Sequence, residues 1–159
     1  MSISEKKKTK RSCRIISQEC IGKDIYSMWL DAGEIAENAV SGQFVSLYSR
    51  NGSKLLPRPI SLCEIDKEEK RLRLVYRVTG KGTGTEEFSR LHAGVPVEVL
   101  GPLGNGFPLD AVKGKKVFLM GGGIGIPPML ETAKELDAEK TMVLGYRDEL
   151  FLNKEFEAY

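Results

Sequence analysis

The feature that most restricts the possible folds is a change of hydrophobic period near residue 101. From Ser12 to about Gly101, apolar residues recur in short runs separated by glycine, proline and aspartate turn signals, a pattern that predicts strands. "RLRLVYRV" alternates most cleanly, with Leu72, Leu74, Tyr76 and Val78 on one side and Arg71, Arg73, Val75 and Arg77 on the other. "CRIISQECI" and "IYSMWLDA" flank Gly22-Lys23-Asp24, a hairpin turn. "QFVSLYSR" follows Gly42, "RPISLCEID" follows the proline-broken "KLLP", and "VPVEVLG" closes the series. Six such strands predict a small antiparallel barrel. One helix interrupts them: Thr83 and Glu86 have capping-box spacing, and Phe88 and Leu91 follow three apart.

Beyond "GPLGNGFPL" the period differs. "KKVFLM" reads as a buried strand, "PPMLETAKELD" as a helix opening on proline, and "TMVLGYR" as a second strand. A βαβ unit of this kind opens a parallel α/β domain. The expected fold class is therefore β barrel plus α/β, with a basic disordered leader at 1–11, the barrel at 12–110 and a partial nucleotide-binding domain at 111–159.

Charge and cysteine usage narrow the function classes. The net charge of +2 is the balance of +4 in residues 1–11 and −2 in the rest, which argues against a nucleic-acid-binding body. The basic leader reads as a solubilising tail in preference to a polyanion contact. No apolar run approaches the roughly 20 residues that span a bilayer, and no apolar segment follows the basic start, so neither a membrane segment nor a signal peptide is expected. Cys13, Cys20 and Cys63 are odd in number and lack C-x-x-C spacing, which predicts reduced thiols in a cytoplasmic protein and no metal site. His92 is the sole histidine.

Three segments near strand ends carry the chemistry. In Arg58-Pro59-Ile60-Ser61, the guanidinium suits a phosphate and the hydroxyl suits a ring nitrogen. Arg77 lies beside Val75 on the more polar face of its strand. In "TGKGTGTEE" the glycines let backbone approach a ligand, and the helix starting near Thr83 directs N–H groups at an anion. Two arginines and a helix N-terminus together suit a diphosphate. Downstream, Gly121-x-Gly123 begins a dinucleotide fingerprint, but Ile126 stands where the last glycine belongs.

These segments, "RPIS", "VYR" 17 residues after Arg58, "GKGTGTEEF", "GPLGNGFPL" and "GGGIGIPPM", resemble in order the ferredoxin reductase-like superfamily of FAD- and NAD-binding proteins. Within it they are most similar to the electron-transfer subunits of class 1B dihydroorotate dehydrogenase, over residues 12–159. The resemblance implies that Arg58 pairs with the FAD pyrophosphate and that Ser61 bonds the flavin near its reactive nitrogen. Pro59 and Ile60 would line the flavin, Val75, Tyr76 and Arg77 would contact it, and Gly82 and Thr83 would close on its phosphates. Many relatives carry tyrosine where this chain has Ile60, so stacking there is lost, and Tyr76 compensates only if its ring faces the cofactor. Gly121, Gly122, Gly123 and Gly125 would sit under NAD(H). Asp148 lies near the usual place of a ribose-binding acid, and Arg147 beside it suits a phosphate equally well, which leaves NAD and NADP both open.

The implied activity is that of an oxidoreductase subunit in pyrimidine biosynthesis. Electrons pass from an FMN-containing dihydroorotate dehydrogenase catalytic subunit, in a heterotetramer, through a [2Fe–2S] cluster to FAD and on to NAD⁺. The family continues through the rest of the NAD domain to a cysteine cluster, so the resemblance implies a chain truncated at its C-terminus. Three scattered cysteines cannot supply the four ligands of such a cluster. The alternatives are a flavoprotein subunit of a ferredoxin–NADP or sulfide oxidoreductase, or a flavin-binding docking module without turnover. Beside these readings stand plainer ones: Trp29 as barrel core, His92 as a surface residue, Cys63 as a small buried side chain, and Glu86 and Glu87 as helix-terminal acids.

Overall fold

The computed structural model describes residues 8–50 and 56–159. Strands β1 (Thr9–Gly22), β2 (Ile25–Asp31), β3 (Phe44–Tyr48), β4 (Arg58–Asp66), β5 (Arg71–Arg77) and β6 (Pro96–Leu103) close into an antiparallel barrel in the order β1-β2-β5-β4-β3-β6. The hairpin between β1 and β2 turns on Lys23 and Asp24, and Asp24 takes the left-handed conformation at φ 59°. Alternation fills the interior: Met28, Leu30, Leu62, Leu72, Leu74 and Tyr76 join Val45, Leu47, Val97 and Val99 in one core. Helix α2 (Gly84–Ser89) is capped by Thr83, whose hydroxyl accepts from the Glu86 N–H, and Phe88 seals one end of that core. Helix α1 (Glu34–Asn38) presents only Ile35 and Ala36 to the barrel, too short an apolar stripe to register as helical period in the sequence.

After a 3-10 turn at Leu109–Val112, strand β7 (Lys116–Gly122), helix α3 (Pro127–Glu135) and strand β8 (Glu139–Gly145) form a parallel βαβ unit. Helix α3 packs on β4 of the barrel, and α4 (Asn153–Phe156) returns to it as well. A second core forms between the two parts, in which Ile126, Leu130, Ala133, Phe151 and Phe156 meet Ile25, Cys63 and Val75 from the barrel's outer wall. Among the described residues no helix is long and apolar enough to cross a membrane.

Three expectations need correction. Residues 1–7 lie outside the described residues, but Thr9, Lys10 and Arg11, assigned above to a disordered leader, are strand paired with Gly101, Leu100 and Val99. Trp29 is not barrel core: Met28 and Leu30 point inward, so Trp29 faces outward, with the Arg71 and Arg73 guanidinium groups 5.8 and 6.0 Å from its ring centroid. Strand β7 is half buried instead of buried, because α3 covers Leu119 while Phe118 and Met120 on the opposite face stay 66% and 68% exposed.

Candidate functional site

A cleft of about 510 Å³ opens on the outer wall of the barrel. Arg58, Pro59, Ile60 and Ser61 of β4 line it, with Val75, Tyr76 and Arg77 of β5, Thr79 and Thr85 around the start of α2, and Ile124 of the glycine loop. The β4 alternation explains its floor. Ile60 turns inward to the barrel core, and Pro59 and Ser61 are left exposed on the outer face. Val75 is buried against the second core, and Arg77 stays half-buried at the strand's end.

The two arginines carry the site's electrostatics. Among the described residues, neither Arg58 nor Arg77 has an ion-pair or side-chain hydrogen-bond partner, whereas Arg71, Arg73 and Arg90 are each paired with carboxylates. Two unneutralised cations on one apolar-floored cleft suit an anionic ligand with a flat apolar part. Thr85 is fixed by its neighbours, since its Oγ1 accepts from the Thr79 N–H at 3.1 Å and lies 3.1 Å from Thr83 Oγ1.

Other sequence-predicted residues fall differently. Tyr76 borders the cleft, but its ring stacks on Tyr26 at 6.0 Å inside the barrel wall and its hydroxyl donates to Gln18 Oε1 at 2.8 Å. Burial pushes its phenol well above the usual range. The ring therefore does not replace the aromatic face missing at Ile60. Gly82 and Thr83 stand outside the lining: the Gly82 N–H donates to Glu86 Oε2 at 2.6 Å and Thr83 Oγ1 donates to Gly80 O at 2.7 Å. Both shape the turn that carries Thr85. Thr79, Thr85 and Ile124 were not singled out by sequence. A threonine two residues past a capping threonine was the available signal for Thr85, but nothing local announces Ile124.

The glycine loop runs from the end of β7 through a 3-10 turn, Gly123–Gly125, into α3. A Cβ on Gly121 would stand 3.0 Å from Gly125 O and from Ile126 Cα, so only glycine permits this strand-to-helix approach. Gly122, Gly123 and Gly125 instead face open space, and Gly123 takes φ +52°. Ile126, in place of the last fingerprint glycine, is fully buried in the second core. Arg147 and Asp148 meet Gly123 and Arg77 across a crevice of only about 10 Å³. Arg77 thus stands between the cleft and the loop, and Ile124 reaches from the loop into the cleft. The two segments read separately in the sequence form one continuous surface.

The sequence is 40% identical over 94% of this chain to the dihydroorotate dehydrogenase B (NAD(+)) electron transfer subunit of Streptococcus mutans, and covers 59% of that protein. It is 43% identical over 91% of this chain to the corresponding subunit of Lysinibacillus sphaericus, covering 58% of it. The solved structure of an NADH-dependent reduced ferredoxin–NADP oxidoreductase, studied for flavin-based electron bifurcation, superposes with TM-score 0.79 at 30% identity over 91% of this chain and 52% of that one. This chain shares the ferredoxin reductase-like fold. Phthalate dioxygenase reductase, described as a modular structure for electron transfer from pyridine nucleotides to [2Fe–2S], shares the fold at TM-score 0.71 and 29% identity, with 92% of this chain and 47% of that chain covered. No family model matches the sequence. The chain spans under two thirds of the length of the curated relatives it matches.

The cysteines do not form a ligand set. Cys13 is buried in the barrel core and Cys63 in the second core, and burial raises both thiols, Cys13 to about 12. Cys20 is exposed on β1. Among the described residues no group of three or more His, Cys, Asp or Glu side chains is placed to hold a metal ion. A [2Fe–2S] centre does not fit these residues.

Proposed function

We propose that this chain is the FAD-holding part of an electron-transfer subunit that delivers reducing equivalents to a nicotinamide dinucleotide, as the names of its dihydroorotate dehydrogenase B relatives suggest. One observation carries the reading: a single cleft joins two uncommitted arginines, an exposed serine hydroxyl and the tip of the glycine loop. Arg58 would neutralise the pyrophosphate, Ser61 would donate to the ring system, and Pro59, Ile60 and Val75 would exclude water beneath it. Arg77, with Tyr76 beside it in the wall, would hold the flavin's polar edge, while Gly82 and Thr83 support the phosphates through the turn they build. Bound flavin supplies the two-electron chemistry; the residues supply binding, orientation and a fixed field. Gly122, Gly123 and Gly125, with their open backbone, would receive NAD(H), next to the flavin because Ile124 borders both.

The same reading gives residues 12–110 the flavin and residues 111–159 the nicotinamide. It makes the partner an FMN-containing dihydroorotate-oxidising subunit in a cytoplasmic heterotetramer. The test is an anaerobic titration of the purified chain. It should take up FAD stoichiometrically and turn yellow, and NADH should then bleach the 450 nm flavin band. A chain that takes up no FAD defeats the proposal. Flavin that binds but stays oxidised under NADH leaves a docking module and removes turnover from this chain.

A further inference from the structure

We infer that Gly84 is a positioning residue for Arg58, and through it sets the affinity of the cleft for a pyrophosphate-bearing flavin. The inference rests on the flavin reading above. Gly84 is the first residue of α2 and is buried, and its backbone carries no left-handed φ that would demand glycine. Glycine is the poorest ordinary helix former, so helix propensity does not account for it either. What accounts for it is Arg58. A Cβ built on Gly84 would stand 3.0 Å from Arg58 Nε, 3.2 Å from its Cγ and 3.7 Å from its Cδ. The arginine stem lies directly across the position a side chain would fill.

That contact fixes where the guanidinium goes. Arg58 has no carboxylate partner among the described residues to hold its head, so its course depends on the surface its stem crosses. The surface is rigid, since the Thr83 cap, the bond from the Gly82 N–H to Glu86 Oε2 and the Thr79–Thr85 bond lock the first turn of α2. A methyl group at residue 84 therefore displaces the flexible partner. The helix stays and Arg58 moves.

The consequence is a pair of effects with opposite signs. Gly84→Ala should hold or raise the melting temperature of the flavin-free chain, because alanine favours helix. It should also weaken FAD binding about tenfold, as a displaced charge-assisted contact does. The experiment is FAD titration, followed by flavin fluorescence, of the parent chain, Gly84→Ala, Arg58→Ala and the double variant, with thermal melts of each apo form. In the Arg58→Ala background the alanine at 84 should cost no further affinity, since the group it displaces is gone. Parental FAD affinity in Gly84→Ala overturns the inference, and so does a full loss repeated on top of Arg58→Ala or a loss that merely follows a fallen melting temperature. Failure of the parent chain to bind FAD would instead sink the flavin reading itself.

Discussion

The barrel and the βαβ unit close their cores in different ways. Every barrel strand is paired on both edges, and the side chains of the inner core all come from the barrel and its two short helices. The βαβ unit has two strands, leaves Phe118, Met120 and Val143 exposed on one face, and completes its other face with Ile25, Cys63 and Val75 of the barrel. The barrel builds its own cleft wall, whereas the glycine loop is held in place by the barrel. Arg73 makes a charged tie between them. This buried guanidinium donates to Ser27 Oγ at 2.9 Å, to Glu64 at 2.7 Å and to Glu155 of α4.

Breaking that tie should have the largest effect. Arg73→Ala leaves Glu64 and Glu155 facing each other over a gap without a cation; Glu155 is 43% exposed, so water screens part of the loss, which should stay below the about 3 kcal/mol of a fully buried pair. The loss should be uneven. Hydrogen exchange should speed up first in β8 and α4, while β1, β2 and β6 keep their protection. Equal loss of protection across the barrel strands would break the comparison, because it would make the two parts one cooperative unit.

Arg58→Ala should act the other way round. The arginine has no ion-pair partner among the described residues, so its removal should leave the melting temperature of the apo chain nearly unchanged. FAD affinity should fall about thirtyfold, the equivalent of about 2 kcal/mol for a charge-assisted contact. A stability loss as large as that of Arg73→Ala would mean that the cleft wall is structural and not a ligand site.

What the sequence made legible follows the same division. Alternation and turn signals gave all six barrel strands, because a closed sheet with one buried face enforces period two. They gave no sign of what covers the more polar face of β5, where Val75 is buried under the βαβ unit and Arg73 under α4. Trp29 failed for the same reason, since its packing partners are guanidinium groups on a neighbouring strand and not the apolar core. In the site, the β4 and β5 segments were adjacent on one strand pair and were found together. Ile124 was not, because its place in the cleft depends on how α3 docks on β4, which no local pattern encodes.

That docking offers the finest test. Glu131 of α3 is 2% exposed, and its Oε2 accepts the Ile65 N–H of β4 at 2.7 Å. Burial raises its carboxyl to about 7. The Ile65 N–H and the Lys134 ammonium, 3.8 Å away, pull it down, and Glu135 and Glu64 push it up. In the unfolded chain a glutamate titrates near about 4.3, so between these values the folded chain holds the extra proton. Stability therefore falls as pH rises through this window and levels off above about 7. Glu131→Gln keeps an oxygen acceptor for Ile65 and removes the charge. Its melting temperature should match the parent near pH 4 and exceed it at pH 8, with the gap opening between those two values. A difference that stays flat across this range would show that the docking contact carries no proton linkage, and that α3 is held to the barrel by its apolar face alone.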